Sequence, residues 1–416
     1  MKSETFVKHR ASFAAEMLDN SIAVFFSGSY PRDIGDQFVY PFSVERNFFY
    51  FTGISRENMV VMISKVNGEV KESLYIPEVD ELWELWNHRF VRPHEAVEIS
   101  GIKNVQNNDM FEKDFAKSLF YGGYVENLYI FSHYIELDEN PIEAHRFAEK
   151  AAQQYPGLSI INSIDIMMKL RSQKDEDEIA EIQQAIDYTK EALEFMVADL
   201  KPGKFEFELK ARFEYSLALN KTRHRFRTVV SGGPNNMNLH YIGGDYQFKD
   251  GDLLLCDLGA FSNNYVTDLA RTYPVNGKFT PRQKEIYNIV YEGQQVIFDA
   301  MRAGESENTM NRVVREFFAK ALKSIKLIKD GTIAEVNKYL VHGVGHPIGL
   351  DLHDFQIHPG KLLVENGVYT VEPGLYLPDE GFGVRLEDNV VIEKGGVRVL
   401  SEHIPKKLED IENLFA

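Results

Sequence analysis

The segment GDLLLCDLGAFSNNYVTDLARTYPV (251–275) constrains this 416-residue chain more than any other. Two apolar runs flank a Ser-Asn-Asn turn signal, a pattern that predicts a β-hairpin. Asn264 can take the positive φ that such a turn needs. Asp257 and Asp268 stand eleven residues apart. Across a two- or four-residue loop, that odd spacing puts both on one face, opposite or diagonal, with Cβ atoms about 4.5–8 Å apart. Two carboxylates beside Leu255, Cys256 and Leu258 repel one another unless something neutralises them, and cations do so most simply. Read alone, the segment fits two solvated aspartates beside a turn equally well.

Two further stretches carry chemistry-bearing residues. In HGVGHPIGLDLHD (342–354), His342, His346 and His353 sit among glycines and Pro347, so a regular helix is not expected and a helical HExxH zinc motif does not fit. Gly343, Gly345 and Gly349 allow close backbone approach to a ligand or another strand. For any one of these histidines, a satisfied structural residue is the competing explanation. In YTVEPGLYLPDEGFGVRLEDNVVI (369–392), TVEPGLYL and GVRLEDNVVI read as two buried strands joined by a short loop, each carrying a glutamate, Glu372 and Glu387. A buried Glu is rare unless paired or ligating. Arg385 precedes Glu387 by two residues, so an Arg385–Glu387 ion pair at a sheet edge is the alternative there.

Taken together, four carboxylates and one imidazole make an oxygen-dominated ligand set suited to ions such as Mn(II). Their four negative charges match two divalent cations. Two such ions about 3.5–4 Å apart hold a bridging water and lower its pKa toward roughly 7. No G-x-S-x-G elbow and no Walker loop is present.

Bulk composition narrows the class. Apolar residues make up 44% and charged residues 26%, the balance of a soluble globular chain, and the length suggests two domains. The net charge is −17 with no long Lys/Arg run, which argues against a nucleic-acid partner. Cys256 is the only cysteine, so disulfide scaffolds and Cys-rich zinc sites are excluded. The N-terminus is charged throughout and lacks the apolar core of a signal peptide. No run approaches the roughly 18 uncharged apolar residues of a membrane span. A cytoplasmic location fits these features.

Along the chain, residues 21–63 read as strands and turns: SIAVFF ends at SGSYP, and NMVVMI precedes the Asn67-Gly68 turn. LYIPEV and LYIFS add strand candidates, giving an α/β N-terminal half. RSQKDEDEIAEI (171–182) opens a long helical pattern ended by Pro202-Gly203. Helical segments at 205–220, 281–302 and 309–323 then alternate with strand-like stretches around 251–273 and 367–399. The boundary is expected near 160–172.

These residues resemble the pita-bread metallopeptidases, specifically the aminopeptidase P and prolidase branch. The match covers nearly the whole chain. It rests on the Asp257/Asp268 hairpin, His346 in HGVGH, Glu372 in TVEPGLY, Glu387 in GVRLED, RTYPVNGKFTPRQKEIY (271–287), and LHY (239–241), which looks like the family's active-site His-Tyr pair. VFFSGSYPRDIGDQFVYPFSVERNFFYFTGI (24–54) resembles the aminopeptidase P N-terminal domain. ELWNHRFVRPHEA (84–96) resembles the segment carrying a pocket-closing tryptophan, here Trp86, for which an ordinary core role is the alternative. The sequence departs from the family pattern at Asn47, Asn264 and Asn389, at Pro347, and in a short loop between Tyr376 and Arg385 that looks more like prolidase.

The resemblance implies an α/β N-terminal domain (1–165) and an α+β catalytic domain of pita-bread fold (166–416). It implies two divalent ions per chain, Mn(II) with Co(II) or Zn(II) as alternatives. Asp257 would hold one ion, His346 with Glu372 the other, and Asp268 and Glu387 both. A bridging hydroxide would attack the carbonyl before a proline, with Glu372 shuttling the proton. His240 and His353 would hydrogen-bond the substrate and the developing oxyanion. Arg385 would orient the substrate or the carboxylates, and His342 would assist in substrate binding. The implied partners are proline-containing peptides and copies of the chain in a homodimer or homotetramer, with no nucleic acid and no membrane. Four other readings compete: prolidase on Xaa-Pro dipeptides, a metal-free creatinase, a non-enzymatic pita-bread binding module of the histone-chaperone kind, and methionine aminopeptidase. Keeping all five ligands argues against the creatinase and the binding module, and the N-terminal domain argues against methionine aminopeptidase.

Overall fold

A computed structural model of the chain describes residues 1–30, 42–120, 124–132, 141–356 and 360–415. It divides into two compact units, Met1–Leu170 and Arg171–Ala416. Residues 31–41 of the 24–54 stretch lie outside the described residues. Among the described residues, no helix is long and apolar enough to cross a membrane.

The first unit runs α1 (Ser3–Glu16), β1 (Ser21–Phe26), α2 (Arg46–Thr52), β2 (Val60–Val66), β3 (Glu69–Ile76), α3 (Glu81–Trp86), α4 (Pro93–Ser100), β4 (Val105–Asn107), α5 (Phe111–Phe120), β5 (Asn127–Ile130), α6 (Glu143–Gln154) and β6 (Ser159–Asn162). The strands form one mixed sheet in the order β4-β3-β2-β1-β5-β6. Every residue of β1 is buried, as expected of an unbroken apolar run covered on both faces. Ile22, Val24 and Phe26 pack with Phe111, Phe115, Ala144 and Ala148 of α5 and α6. On the other face Phe25 meets Phe13 and Phe51, with ring centroids 5.3 and 4.7 Å away.

Two readings of this half are corrected. Residues 46–52 are helical rather than strand or turn. Glu45 caps the helix by accepting from Phe48 N, and Gly53 closes it in the left-handed conformation; these caps and the packing of Phe51 override the strand preference of an aromatic run. Trp86 is 82% exposed, as is Leu85 beside it, so it is not a core residue.

Helix α7 (Ile164–Ser172) spans the division. The second unit continues α8 (Glu176–Val197), α9 (Glu206–Leu219), β7 (Val229–Gly232), β8 (Leu253–Leu258), β9 (Phe261–Ser262), β10 (Tyr265–Val266), β11 (Leu269–Pro274), α10 (Pro281–Ala300), α11 (Glu307–Ser324), α12 (Ile333–Val336), β12 (Val368–Val371), β13 (Gly374–Leu377), β14 (Phe382–Arg385), β15 (Asp388–Glu393), β16 (Gly396–Val399) and α13 (Leu408–Asn413). β8 and β11 pair antiparallel, with Leu258 opposite Leu269 and Asp257 opposite Ala270. The same register continues into β9 and β10, with Phe261 opposite Val266. Asn263 and Asn264 form the turn with φ of 42° and 67°, the signature of a two-residue type I′ hairpin.

Gly259 is the tight point of this hairpin. A Cβ there would sit 1.9 Å from the Thr267 carbonyl oxygen. Gly259→Ala is therefore expected to destabilise the second unit by about 3 kcal/mol, the upper end for overpacking. Denaturant unfolding reads this directly, and an unchanged midpoint would show that the hairpin opens there at no cost.

The expected two buried strands around Glu372 and Glu387 are each broken in two. β12 pairs with β15 and β13 with β14, in separate sheets. Yet one register runs through both, from Val371 opposite Asp388 to Gly374 opposite Arg385. Followed across the gap, it sets Glu372 opposite Glu387. The break arises where Pro373 cannot donate to a ladder and where Glu387 N turns to Ala270 O instead, at 2.9 Å.

Candidate metal centre

Two strand-like pairings bring the acidic residues together. The hairpin register places Asp268 two residues from Ala270, the partner of Asp257, so the two aspartates are diagonal neighbours on one face. The glycine-rich stretch runs beside β12: Ile348 N, Thr370 N and Glu372 N donate to Val368, His346 and Val344 carbonyls at 3.0, 2.8 and 3.0 Å. His346 thus stands opposite Thr370, with Glu372 two residues beyond. Gly345 is needed for this approach, because a Cβ there would lie 2.2 Å from the Thr370 carbonyl oxygen. The bond from Glu387 N to Ala270 O joins the two halves.

The side chains converge accordingly. Donor atoms of Asp268, His346 and Glu387 lie within 4.8 Å of one another. His346 Nε2 is 3.6 Å from Asp268 Oδ2 and 3.9 Å from Glu372 Oε1. His346 Nδ1 lies 3.1 Å from the Pro347 carbonyl, which orients Nε2 toward the carboxylates. Asp257 Oδ2 is 2.5 Å from Arg385 Nη2, so the carboxylate on Arg385 is Asp257 and not the Glu387 of the alternative ion-pair reading. Arg385 Nη1 donates to Tyr376 Oη at 2.8 Å, and Tyr376 Oη lies 3.0 Å from His342 Nε2. His342 Nδ1 is 3.8 Å from Glu372 Oε2.

Crowding shows in the titration of these groups. Burial and then the Asp268 charge push the Asp257 carboxyl well above the ordinary carboxylate range. Glu387 is pushed well up by burial and by Asp268, Glu372 and Asp257. Glu372 rises to about 7 through burial and Asp268, against the pull of His346 and Arg385. Burial alone would lower His346, but the carboxylate of Asp268 3.6 Å away, with Glu372, raises it overall. Burial, with Arg385 nearby, brings His342 down to about 4. Cys256, one residue from Asp257, is pushed up to about 12 by burial, so it offers no thiolate.

Divalent cations fit this cluster. Asp257 Oδ1 and Asp268 Oδ1 are buried and have no hydrogen-bond partner among the described residues, a costly state for carboxylate oxygens that a cation relieves. Oxygen donors with one imidazole suit hard or borderline divalent ions.

The outlying histidines take different places. His353 is exposed and stands edge-on to His346, ring centroids 4.3 Å apart. His240 is exposed on the loop after β7. Its neighbour Tyr241 turns away: the phenol donates to Glu206 Oε2 at 2.8 Å. Three contributors escaped sequence reading. Tyr376 carries no signal beyond its place in the TVEPGLYL strand and at the edge of the short loop before Arg385. Thr370 Oγ1 accepts from His346 N at 3.0 Å. Asn389, noted only as a departure, clamps the hairpin: Nδ2 donates to Asp268 O at 2.7 Å, and Oδ1 accepts from Thr267 Oγ1 at 2.5 Å. An aspartate could not donate to that carbonyl.

Residues 180–394 match Metallopeptidase family M24, and residues 6–124 match the Aminopeptidase P, N-terminal domain. The chain is 29% identical to the Xaa-Pro aminopeptidase of Haemophilus influenzae, covering 100% of this chain and 98% of that one. It is similar to a Bacillus anthracis structure assigned as aminopeptidase P, with a TM-score of 0.96 and 35% identity over 100% of this chain and 98% of the other. It is also similar to zinc-substituted Escherichia coli aminopeptidase P in complex with product, with a TM-score of 0.88 and 27% identity over 100% and 98% of the two chains.

Proposed function

The chain belongs to metallopeptidase family M24 and carries the N-terminal domain of aminopeptidase P, and from that premise we propose that it removes an N-terminal residue when proline stands second. It is a metal-dependent exopeptidase with a pita-bread catalytic domain. The observation that carries the reading is the convergence of Asp268, His346 and Glu387, with Glu372 Oε1 3.9 Å from His346 Nε2, and with Asp257 Oδ1 and Asp268 Oδ1 buried without a hydrogen-bond partner among the described residues.

Two divalent ions, Mn(II) by preference, would be held by Asp257, Asp268, His346, Glu372 and Glu387. Bound there, they supply an activated water as nucleophile. The chain's own residues do the rest. Glu372 takes the proton of the attacking water and passes it to the leaving proline nitrogen as the C–N bond breaks. His240 and His353 donate to the carbonyl oxygen as it gains charge. Arg385 fixes Asp257, and His342 supports Arg385 through Tyr376. The single cysteine accords with a cytoplasmic enzyme, and the resemblance with a homodimer or homotetramer.

Longer peptides are favoured over dipeptides. The N-terminal match and end-to-end relatives weigh for an aminopeptidase, whereas the dipeptidase reading rests on the short turn 378–381 between β13 and β14, and loop length drifts readily. With Mn(II), kcat/KM for Xaa-Pro-Xaa should exceed that for Xaa-Pro. Cleavage of the dipeptide with none of the tripeptide would establish the dipeptidase reading instead.

A further inference from the structure

We infer that Glu206 is a positioning residue that sets the reach of His240 into the catalytic site, an inference that rests on the substrate role given to His240 above. Glu206 opens helix α9 and is 1% exposed. A carboxylate so buried requires donors, and four converge on it. Oε1 accepts from Gly232 N at 2.7 Å and Asn235 Nδ2 at 3.0 Å. Oε2 accepts from Tyr241 Oη at 2.8 Å and Tyr246 N at 3.3 Å. All four donors lie on the segment 232–246, and His240 lies within it, next to Tyr241.

That segment has little other regular support. Between β7 and β8 it holds only a short 3₁₀ turn, Gly233–Met237. It is also tied to the first turn of α9, by Glu206 N to Tyr246 O at 3.1 Å and Phe207 N to Gly244 O at 3.0 Å, to Asp252 by Tyr246 Oη at 2.9 Å, and to the strand that carries Arg385, where Gly383 N donates to Asn236 Oδ1 at 2.8 Å and Arg385 Nη2 reaches Leu239 O at 3.5 Å. The loop is therefore pinned from two sides, by Glu206 and the first turn of α9 behind and by β14 in front, with His240 between the pins. Asn235 Nδ2 also donates to Tyr241 Oη at 2.9 Å, so Tyr241 and Asn235 move with the carboxylate as one hydrogen-bonded unit. Tyr241 thus serves as the lever through which a buried acid places the neighbouring imidazole.

Glu206→Gln keeps the size but turns one acceptor into a donor, and Tyr241→Phe removes one bond at small risk to folding. Misplacing a substrate-contacting group by about 1 Å costs about 10²-fold. Each variant should lower kcat/KM for an Xaa-Pro-Xaa tripeptide by about 10–100-fold, with metal content by elemental analysis unchanged. The deciding measurement is a double-mutant cycle with His240→Ala. In that background both variants should change kcat/KM by less than about 2-fold, since there is no imidazole left to misplace. Equal losses in both backgrounds would overturn the inference and make Glu206 a structural carboxylate only. Full activity of both variants would overturn it while leaving His240 its role. Full activity of His240→Ala itself would overturn the role of His240 and this inference with it. Should Glu206→Gln fail to fold, Tyr241→Phe decides alone.

Discussion

Asp257→Asn is expected to lower kcat/KM on Xaa-Pro-Xaa peptides by at least about 10³-fold and to reduce bound metal, while the metal-free protein keeps its fold. The loss should exceed the roughly 10–100-fold typical of removing an outer partner of a metal ligand, because Asp257 offers its own buried oxygen to the site. Two opposing terms bear on stability. Arg385, whose side chain is only 3% exposed, loses a countercharge 2.5 Å away, and an uncompensated buried charge costs about 3–5 kcal/mol. Against this, Asp257 is one of four crowded acids whose carboxyl is already pushed well up by burial and Asp268, so removing its charge relieves repulsion. Asn Oδ1 can still accept from Arg385, and Tyr376 Oη remains 2.8 Å from the guanidinium. The two terms largely offset. Elemental analysis after Mn(II) reconstitution, with thermal unfolding of the metal-free protein, tests both parts. A variant that keeps its full metal complement would reduce Asp257 to the partner of Arg385. Wild-type protein that binds no metal would defeat the functional reading as a whole.

What could be read from the sequence was what local rules write into it. Two apolar runs around a Ser-Asn-Asn turn signal specify a hairpin within one short segment, so the placement of Asp257 and Asp268 on one face, opposite or diagonal, follows from spacing, and the two-residue turn at Asn263-Asn264 makes it diagonal. The glycines around His346 signalled close backbone approach, and Gly345 against Thr370 is that approach. The parts that were missed depend on partners far along the chain. The donors to Glu206 lie 26 to 40 residues away, and no period or turn signal announces a buried acid serving a distant loop. The division of the strand that carries Glu387 depends on Ala270 capturing Glu387 N, a contact between segments more than a hundred residues apart. Arg385 offered a close partner in Glu387 and was captured by Asp257 from another strand. Helix α2 was missed for the opposite reason: its signal is local, but it lies in the caps Glu45 and Gly53 rather than in the aromatic run between them.

His353→Ala is expected to lower kcat by about 10²–10³-fold, the loss typical of one donor to a developing oxyanion, with little change in bound metal. The ring stands 4.3 Å from that of His346, close to the cluster, yet His353 is absent from the group of Asp268, His346 and Glu387 whose donor atoms converge. Its exposure leaves a nitrogen free to meet substrate. What holds an exposed histidine in one place is the residue after it. Asp354 is buried and accepts from Arg171 Nη2 at 2.6 Å, with Lys174 Nζ 3.4 Å from its other oxygen. It also accepts from Leu350 N and Phe355 N at 3.2 and 2.8 Å, and the Arg171 guanidinium lies 4.4 Å from the Phe355 ring centroid. Such a network keeps the loop from relaxing when the imidazole is removed, so the effect should appear in catalysis rather than in folding. Because the hydrogen bond tightens as charge develops on the carbonyl oxygen, the loss should fall on kcat with KM nearly constant. Steady-state kinetics alongside elemental analysis separates the outcomes: a raised KM with unchanged kcat would make His353 a ground-state binding residue, and loss of metal would make it a ligand.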